Sequence, residues 1–454
     1  MKIKLKIPFT KEELLSVLDI EDNALDFKKA EYVCTDSRIC NKGDLFIALR
    51  GERYNGADFC LDAIEKGAFV VTDTPCEGAF TVNDTHTTLL KLAKAYKKKL
   101  TNLKYTVAVT GSVGKSTTKE FLREILKTKY IVHATEGNYN NHIGVPITVL
   151  TADTDTEILI IEMGMNSEGE IKELSSFTNP DIAIITNVGT AHIGRLGSRE
   201  AIAKAKLEIL LGMNENGILI TPYGEKLLDG FSSVRVGVGC ELADVNVRKI
   251  LDSEDDFSVC AFGKNFDISF RHPGEHLIKN LAFAIGTALL LNLDENDIKC
   301  GISHISNNNI RQKIIKYPFF SLIDDTYNAS LESVIAAFKL LCKEGCATRS
   351  ALLSDILELG AYAEDIHFKV GKSAAKYGVD KLYLFGKFSE QIKLGAISSG
   401  MREDSIVIKA DEESLSDFVW RVLENIKKGE TVLSKASHNT EMAAVLKMID
   451  ERCK

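Results

Sequence analysis

The sequence predicts an α/β protein of three consecutive domains, and three observations carry this prediction. The chain has 454 residues, about three times the length of a typical domain. From residue 105 onward, short runs rich in valine and isoleucine alternate with helical patterns, which is typical of a mainly parallel sheet covered by helices. A second series of the same kind begins after residue 311. We therefore expect a small α/β N-terminal domain over residues 1–102, a central domain with a mainly parallel sheet over 103–310 and a C-terminal Rossmann-like α/β domain over 311–454.

Two features predict the N-terminal domain. Residues 35–48 read TDSRICNKGDLFIA and are followed by an amphipathic run and by an apolar strand at 68–72. Residues 89–100 carry apolar residues at helical spacing and three lysines at 97–99. This pattern indicates a solvated helix face that leads into the next domain.

Apolar strands that alternate with helices predict the two later domains. In the central domain the predicted strands are 106–110, 158–163, 181–188 and 217–221, and the predicted helices are 116–127, 199–211 and 277–292. In the C-terminal domain the predicted strands are 319–324, 351–355, 381–385, 405–409 and 431–434, and the predicted helices are 331–341, 366–376 and 412–427.

Composition and charge exclude several classes of protein. The 56 Lys and Arg residues against 64 Asp and Glu residues give a net charge of −8, so no global positive field attracts nucleic acid. The N-terminus has no apolar core of a signal peptide, and the most apolar stretch, 281–293, is shorter than the roughly 20 residues of a membrane span. We therefore expect a cytoplasmic protein with no nucleic-acid partner and no membrane span. The 10 cysteines include no C-x-x-C pair and are interpreted as reduced, mostly buried thiols.

The strongest chemical signal is a phosphate-binding loop. The segment TGSVGKST (residues 110–117) follows an apolar strand and opens a helix. Glycines let backbone N–H groups surround phosphate oxygens, the lysine reaches the terminal phosphates, and the next hydroxyl can bind Mg²⁺. A valine at 109 replaces the first glycine of the full pattern, so an ordinary turn with a surface lysine stays as the alternative. The loop predicts a central P-loop ATPase domain with ATP contacts from Gly111, Ser112, Gly114, Lys115, Ser116 and Thr117.

Three more residues of the central domain carry side chains that suit a ligand site. Glu162 ends an apolar run, where a parallel strand delivers a carboxylate to the edge at which phosphate is expected. His192 follows another such strand and could bind a metal or a phosphate, although a lone loop histidine is more often structural. Lys206 lies in a helix with a second lysine and a glutamate, and this composition by itself indicates a solvated helix face.

Taken together, these motifs resemble the Mur ligase family, whose members are ATP-dependent amide-forming enzymes of peptidoglycan precursor synthesis. The phosphate loop is similar to the family's loop, with serine where threonine is more usual. The other similar segments of the central domain are GNYNNHIGVP (137–146), EMGMN (162–166), NVGTAH (187–192) and AKLEI (205–209). Within the family, the chain resembles the ligases that add D-alanyl-D-alanine, through TDSR (35–38), GDLFIA (43–48), DDTYNA (324–329) and LSDILELG (353–360).

The resemblance implies an activity, its cofactors and its residues. It implies an ADP-forming peptide ligase, acting through an acyl phosphate, with ATP and Mg²⁺ as cofactors. The implied partners of this monomeric enzyme are UDP-N-acetylmuramoyl tripeptide and D-alanyl-D-alanine. The implied catalytic residues are Lys115, His192, Asn138 and Lys206, the last as a carbamylated lysine. The implied metal residues are Ser116, Glu162 and His192. The implied nucleotide contacts beyond the loop are Asn280, Arg311, Asp325 and Tyr327, and the implied substrate contacts are Ser37, Arg38, Asn141 and Lys435.

Four segments depart from the family's pattern, among them NASL (328–331) in place of Asn-Ala-Asn-Pro and SDI (354–356) in place of Gly-Asp-Met. HLIKN (276–280) has one amide fewer than the family's adenine segment, His-Asn-x-x-Asn. KASH (435–438), with Glu441 and Ala443 beyond it, stands in place of Lys-Gly-Ser-Arg and a further arginine. His438 therefore occupies a position where arginine would bind a carboxylate bidentately. Two alternatives stay open: a paralogue that joins a different amino acid or dipeptide, and a non-catalytic nucleotide-binding homologue.

Overall fold

The computed structural model describes residues 1–20, 28–51, 54–251, 253–271, 274–306, 312–342 and 348–453. The chain divides into two compact units. The first unit comprises Met1–Thr110, Leu126–Ile184 and Ala205–Leu219, and the second comprises Gly111–Ile125, Ile185–Lys204 and Ile220–Lys454.

Helices and strands alternate along most of the described chain. The strands are β1 Lys2–Thr10, β2 Lys29–Cys34, β3 Leu45–Ile47, β4 Phe69–Thr72, β5 Phe80–Thr81, β6 Tyr105–Thr110, β7 Val132–Ala134, β8 Ile158–Glu162, β9 Ile182–Ile185, β10 Ile218–Pro222, β11 Val234–Val238, β12 Val245–Lys249, β13 Asp256–Ala261, β14 Lys264–Ser269, β15 Lys313–Lys316, β16 Phe320–Asp324, β17 Arg349–Leu353, β18 Lys381–Leu384, β19 Ile406–Ile408 and β20 Glu430–Lys435. The helices are α1 Lys11–Leu18, α2 Cys60–Glu65, α3 Thr85–Lys99, α4 Lys115–Leu126, α5 Gly144–Leu150, α6 Glu170–Thr178, α7 Ile193–Leu196, α8 Arg199–Leu207, α9 Glu275–Leu290, α10 Glu295–Ser303, α11 Leu331–Leu341, α12 Ala363–Lys376, α13 Ser389–Ser398, α14 Leu415–Asn425 and α15 Met442–Cys453.

The first unit contains a five-stranded sheet in the order β1-β2-β3-β4-β5. Its β1–β2 pair is antiparallel, and the pairs from β2 to β5 are parallel. The same unit contains the neighbouring strands β9-β6-β8-β7, of which β6, β7 and β8 run parallel. Every residue of β8 and β9 is buried, as expected for parallel strands covered on both faces. The register pairs Glu162 at the end of β8 with Val109 on β6, the strand that leads into the phosphate loop.

The second unit contains parallel β10–β11 and β11–β12 pairs, followed by the antiparallel strands β12, β13 and β14. It also contains a six-stranded sheet in the order β15-β16-β20-β17-β18-β19, which is parallel except at the β15 edge. Phe320, Leu352 and Phe418 lie in the buried hydrophobic core of this part. The α/β fold class predicted from the sequence is confirmed.

Most predicted elements begin and end within a few residues of the observed ones. The predicted helix 199–211 differs, because α8 ends at Leu207 and the chain continues as a 3₁₀ helix over Glu208–Gly212. This tighter winding accompanies close packing against α6, since a Cβ at Gly212 would collide with the backbone of Ser175. In the described part of the chain, every helix is too short or too polar to cross a membrane. The domain limits at residues 102 and 310 stay a prediction.

Candidate functional site

Two glycines shape the phosphate loop. Gly111 and Gly114 have φ values of +145° and +83°, in the region that favours glycine. A Cβ at Gly111 would collide with Thr186 Oγ1, and one at Gly114 would lie 2.7 Å from Oδ1 of Asn280. Asn280, a predicted nucleotide contact on α9, therefore lies beside the loop. Helix α4 begins directly after the loop, at Lys115, so its N-terminal N–H groups and positive dipole end favour an anion there.

Asn187 supports the loop from the NVGTAH segment. Its Oδ1 accepts the N–H groups of Ser112 and Val113, both at 2.9 Å. The Gly189 N–H donates to Ser112 Oγ at 2.9 Å, and the Thr186 hydroxyl donates to the Val113 carbonyl at 2.6 Å. The sequence shows this motif but cannot show that its amide holds the phosphate loop, because the contact joins residues 75 and 74 positions apart.

The predicted ATP residues at the end of the loop lie on the first turn of α4. The Lys115 ammonium donates to the carbonyls of Gly111 at 2.7 Å and Ser112 at 3.5 Å. Its positive charge is therefore held at the loop itself. Ser116 is buried and Thr117 is half-buried.

Glu358, to which the sequence analysis assigned no role, contacts His192. Its Oε2 lies 2.6 Å from His192 Nδ1, and its Oε1 lies 3.3 Å from the guanidinium of Arg195. His192 and Glu358 both have left-handed backbones, with φ of +64° and +63°, which costs a non-glycine residue about 1 kcal/mol or more. A metal contact through Nδ1 of His192 would compete with this carboxylate for the same nitrogen.

Hydrogen bonds hold the segment 189–197 at two further positions, Thr190 and Gly197. Glu332, at the start of α11, accepts the N–H and the hydroxyl of Thr190 at 2.9 and 3.1 Å. The Tyr362 hydroxyl donates to the Gly197 carbonyl. At Gly194 a side chain would collide with the backbone of residues 359–360. The segment that carries His192 is thus fixed by α11 and by the LSDILELG segment.

Glu162 lies in the first unit and is 1% exposed. Its N–H donates to Thr135 Oγ1 at 3.0 Å, and its Oε1 accepts the amide of Asn140 at 2.9 Å. Asn140 belongs to the GNYNNHIGVP segment, and its carbonyl also accepts the Gly164 N–H at 2.7 Å. The structure thus brings together the two motifs that contain Glu162 and Asn140. Asn140 itself was not a predicted site residue, whereas two asparagines close to it in the chain were.

Those two neighbours, Asn138 and Asn141, are exposed. The Asn141 side chain accepts the N–H groups of Ile143 and Gly144 at 3.1 and 2.9 Å. It therefore satisfies backbone donors at the start of α5, a role that side-chain oxygens commonly take at helix N-termini.

Lys206 is 2% exposed, so the solvated helix face indicated by composition is wrong for this residue. Lys204, two positions earlier on α8, is exposed. The difference arises because side chains two positions apart point to different sides of a helix. Glu208 is also buried, and its carboxylate accepts the N–H groups of Gly169 and Lys172 at 2.7 and 3.2 Å.

The predicted substrate residues of the TDSR segment lie in a short 3₁₀ helix, Ser37–Ile39. The Arg38 guanidinium is exposed and makes two hydrogen bonds to Asp36, at 2.9 and 2.8 Å. This partner lowers the pKa of Asp36 to about 2. Ser37 is buried, and its carbonyl accepts the Lys66 ammonium at 2.8 Å.

Lys435 and Asp325 form an ion pair. Lys435 is 2% exposed, and its Nζ lies 2.7 Å from Asp325 Oδ2. The same ammonium donates to the Asn328 carbonyl at 3.1 Å, and the Gln312 amide donates to Asp325 Oδ2 at 3.2 Å. The predicted substrate contact and the predicted nucleotide contact thus bind each other. Lys435 reaches a substrate carboxylate only by giving up these partners.

Tyr327 is 40% exposed, and its ring centroid lies 6.1 Å from that of His438. His438 is exposed on the loop that follows β20. The predicted nucleotide contact Arg311 lies outside the described residues.

Comparisons with known proteins identify the family of the chain. The family model for the Mur ligase middle domain matches residues 109–288, and the model for the Mur ligase family catalytic domain matches residues 29–129. The UDP-N-acetylmuramoyl-tripeptide–D-alanyl-D-alanine ligase of Bacillus subtilis (strain 168) is 36% identical over 92% of this chain and 93% of its own length.

Solved structures show the same similarity. A crystal structure of MurF from Acinetobacter baumannii has a TM-score of 0.87 and 27% identity, and the match covers 99% of this chain and all of that one. MurF ligase from Thermotoga maritima, crystallised in complex with ADP, has a TM-score of 0.80 and 28% identity, with 93% of this chain and 97% of that chain covered. With its motifs in the same order and a relative of this similarity along nearly its full length, the chain belongs to the Mur ligase family.

Proposed function

We propose that the chain is an ATP-dependent, ADP-forming ligase that adds D-alanyl-D-alanine to UDP-N-acetylmuramoyl tripeptide in peptidoglycan precursor synthesis. The observation that carries the proposal is the phosphate loop, in which two required glycines and the Asn187 support precede a helix N-terminus. Relatives that carry this activity in their names match more than nine-tenths of the chain. The proposal places the reaction in the cytoplasm and has the enzyme act as a monomer.

The reaction has two bond-forming steps. A carboxylate oxygen of the tripeptide attacks the γ-phosphorus of ATP, the bond to ADP breaks, and an acyl phosphate forms. The amine of D-alanyl-D-alanine then attacks the acyl carbon and loses a proton. The bond between the acyl carbon and the phosphate oxygen breaks, and phosphate leaves with its electron pair. No side chain forms a covalent bond to substrate, so the protein acts by orienting the reactants and stabilising charge.

Residues of the phosphate loop orient ATP. The N–H groups at the start of α4 and the Lys115 ammonium bind the β- and γ-phosphates, and they offset the charge that develops during transfer. Asn280 beside Gly114, together with Arg311, Asp325 and Tyr327, contacts the rest of the nucleotide. Lys435 positions Asp325 through their ion pair.

The side chains of Ser116 and Glu162 fit Mg²⁺, because both offer the hard oxygen donors that this cation prefers. Asn140 orients the Glu162 carboxylate by binding Oε1, in the way that outer residues commonly orient metal ligands. When bound, Mg²⁺ offsets negative charge on the phosphoryl group. His192 would serve the site through Nε2, because Glu358 lies against Nδ1.

Lys206 is proposed to be carbamylated. The side chain is 2% exposed, and removal of an ammonium from water is costly. The neutral amine reacts with CO₂ to form a carbamate and release a proton, which replaces a buried cation by an anion. Such an anion is compatible with a nearby divalent cation, whereas an ammonium is not.

The remaining predicted residues bind the peptide substrate. Ser37 and Arg38 contact the uridine nucleotide part, for which the exposed guanidinium suits a phosphate. Asn138 and Asn141 line the region of the acyl phosphate, where exclusion of water protects the intermediate from hydrolysis.

Phosphate release from ATP tests the proposal. The purified chain is given UDP-N-acetylmuramoyl tripeptide with and without D-alanyl-D-alanine, other amines are tested in parallel, and products are identified by mass. We expect turnover only with D-alanyl-D-alanine, loss of turnover in Lys115→Met, and normal turnover in the control Lys127→Met, which changes an exposed lysine just after α4. Turnover with another amine would support the paralogue, and ATP binding without turnover would support the non-catalytic homologue.

A further inference from the structure

Two cysteines and an aspartate form a compact buried group in the first unit. One donor atom from each of Cys34, Cys40 and Asp44 lies within 4.8 Å of the other two. The three residues are 0%, 4% and 3% exposed. They come from the end of β2, the end of the 3₁₀ helix and the start of β3. Among the described residues, this is the one group of three His, Cys, Asp or Glu side chains with such spacing.

The Asp44 carboxylate makes two other contacts. The Lys2 ammonium lies 2.6 Å from Asp44 Oδ2, and the Asn41 N–H donates to the same oxygen at 2.7 Å. Both contacts use Oδ2 and fix the position of the carboxylate beside the two sulfurs. Metal-binding carboxylates are commonly oriented by such outer contacts.

The two sulfur atoms share one acceptor. The Cys34 and Cys40 thiols both donate to the Asp36 carbonyl, at 3.3 and 3.5 Å. Burial, followed by the neighbouring Cys34, raises the pKa of the Cys40 thiol. A bound divalent cation favours the thiolate forms by supplying positive charge.

We propose that Cys34, Cys40 and Asp44 form a binding site for one divalent cation of the zinc class. The ligands are two thiolate sulfurs and one carboxylate oxygen of Asp44, and the Asp36 carbonyl oxygen lies within 3.3 and 3.5 Å of the two sulfurs. Two thiol protons are released on binding, and no redox change occurs. Thiolate and carboxylate are both ligands of Zn²⁺, at about 2.3 and 2.1 Å, which places tetrahedral donors about 3.8 Å apart. The three donor atoms lie up to 4.8 Å apart, so each separation would shorten by about 1 Å at most on binding.

The position of this site has a structural consequence. Its ligands flank residues 35–39, the segment that contains Ser37 and Arg38. Cation binding would tie both ends of this segment and the start of β3 to one point, and so order the predicted uridine-nucleotide contacts. Ile39, Asn41 and Lys42, the chain neighbours of this group, are exposed.

Cobalt binding to the full-length chain tests the site. The protein is reduced with a phosphine, stripped with a chelator and titrated with Co²⁺, whose thiolate charge-transfer bands and tetrahedral visible bands report the ligands. We expect one equivalent with two thiolates, displaced by Zn²⁺ and unaffected by Mg²⁺. Cys40→Ser is expected to weaken binding by at least about tenfold. Cys60→Ser is the matched control, because it removes another buried thiol of the same hydrophobic core.

A second measurement needs no variant. One equivalent of Zn²⁺ is expected to raise the unfolding temperature of the wild-type chain, since a ligand that binds the native state stabilises it. Absence of the cobalt bands and of the zinc effect in the reduced, folded wild-type chain would overturn the proposal. Loss of cobalt binding in Cys60→Ser with retention in Cys40→Ser would also overturn it, by placing the cation on other thiols. These outcomes are independent of ligase activity, so they distinguish this site from the proposed function.

Discussion

Replacement of Asn187 by alanine tests whether the phosphate loop depends on its side-chain support. The amide oxygen of Asn187 accepts the N–H groups of Ser112 and Val113, both at 2.9 Å. Alanine removes this shared acceptor and leaves the loop glycines and Lys115 unchanged. The Ser112 N–H keeps the main-chain carbonyl of residue 187 at 3.3 Å, whereas the Val113 N–H loses its acceptor. The variant therefore separates the conformation of the loop from the groups that touch phosphate.

The expected magnitude follows from the lost hydrogen bond at Val113. A partly buried N–H that loses its acceptor costs about 1–3 kcal/mol, so the loss at Val113 disfavours the native loop by about 1–3 kcal/mol. Each 1.4 kcal/mol corresponds to a factor of ten. If the cost falls on the nucleotide-bound state, kcat/KM for ATP decreases by about fivefold at the lower figure and by about 100-fold at the upper one.

Steady-state phosphate release at varied ATP measures this effect, and urea unfolding measures global stability. Asn246→Ala is the matched control, because Asn246 Oδ1 accepts the Cys240 N–H at 2.9 Å in another loop of the second unit. We expect it to lower stability slightly and to leave kcat/KM for ATP unchanged. A kcat/KM of Asn187→Ala within about threefold of wild type, or an equal decrease in both variants, would refute the reasoning.

Three further predictions concern lysines that are wholly or partly buried. Burial lowers the pKa of Lys97 to about 8 from its ordinary value of 10.5, so between these pH values the unfolded chain binds more protons than the native chain. Lys97→Met is therefore expected to be more stable than wild type near pH 7, by up to about 3 kcal/mol. In urea unfolding, this gain in stability is expected to disappear as the pH rises from 8 to above 10.5. The exposed control Lys98→Met is expected to show no such pH dependence. A gain that is constant with pH would contradict the lowered pKa of Lys97. Lys435→Met leaves a buried carboxylate without its cation and is expected to lower the free energy of unfolding by about 3–5 kcal/mol; a loss below about 1 kcal/mol would argue against the ion pair. Lys206→Ala is expected to lower kcat by about 100-fold or more, whereas Lys204→Ala is expected to retain activity. Wild type depleted of CO₂ is expected to regain activity when bicarbonate is added. Activity that does not change with bicarbonate would contradict carbamylation.

Sequence patterns predicted the parallel strands that are continuous apolar runs, because such runs are typical of strands buried on both faces. The parallel strands β7 and β11 were not predicted. β8 and β9 are examples, with every residue buried. The patterns did not predict the antiparallel strands β12 to β14. β13 alternates buried and exposed positions and includes Asp256, Ser258 and Cys260, so it contains no continuous apolar run. Pairing with its neighbours stabilises this strand, and a local pattern does not contain that information.

The candidate site divides in the same way. The phosphate loop was predictable, since the backbone requirement at Gly111 and Gly114 and the charge of Lys115 are local. The contacts of Asn187 with the loop and of Glu358 with His192 were not, because they join positions far apart in the chain. The opposite environments of Lys204 and Lys206 were also unpredictable from composition, which is identical for the two. The structure separates them by burial.

An oxygen-18 transfer experiment tests the central claim most directly. UDP-N-acetylmuramoyl tripeptide labelled in its terminal carboxylate is incubated with ATP, Mg²⁺, D-alanyl-D-alanine and the chain, and the released phosphate is analysed by mass spectrometry. An acyl phosphate carries one carboxylate oxygen into phosphate, so we expect one labelled oxygen per phosphate and one UDP-linked pentapeptide per turnover. Release of unlabelled phosphate, or of phosphate without formation of the pentapeptide, would contradict the account.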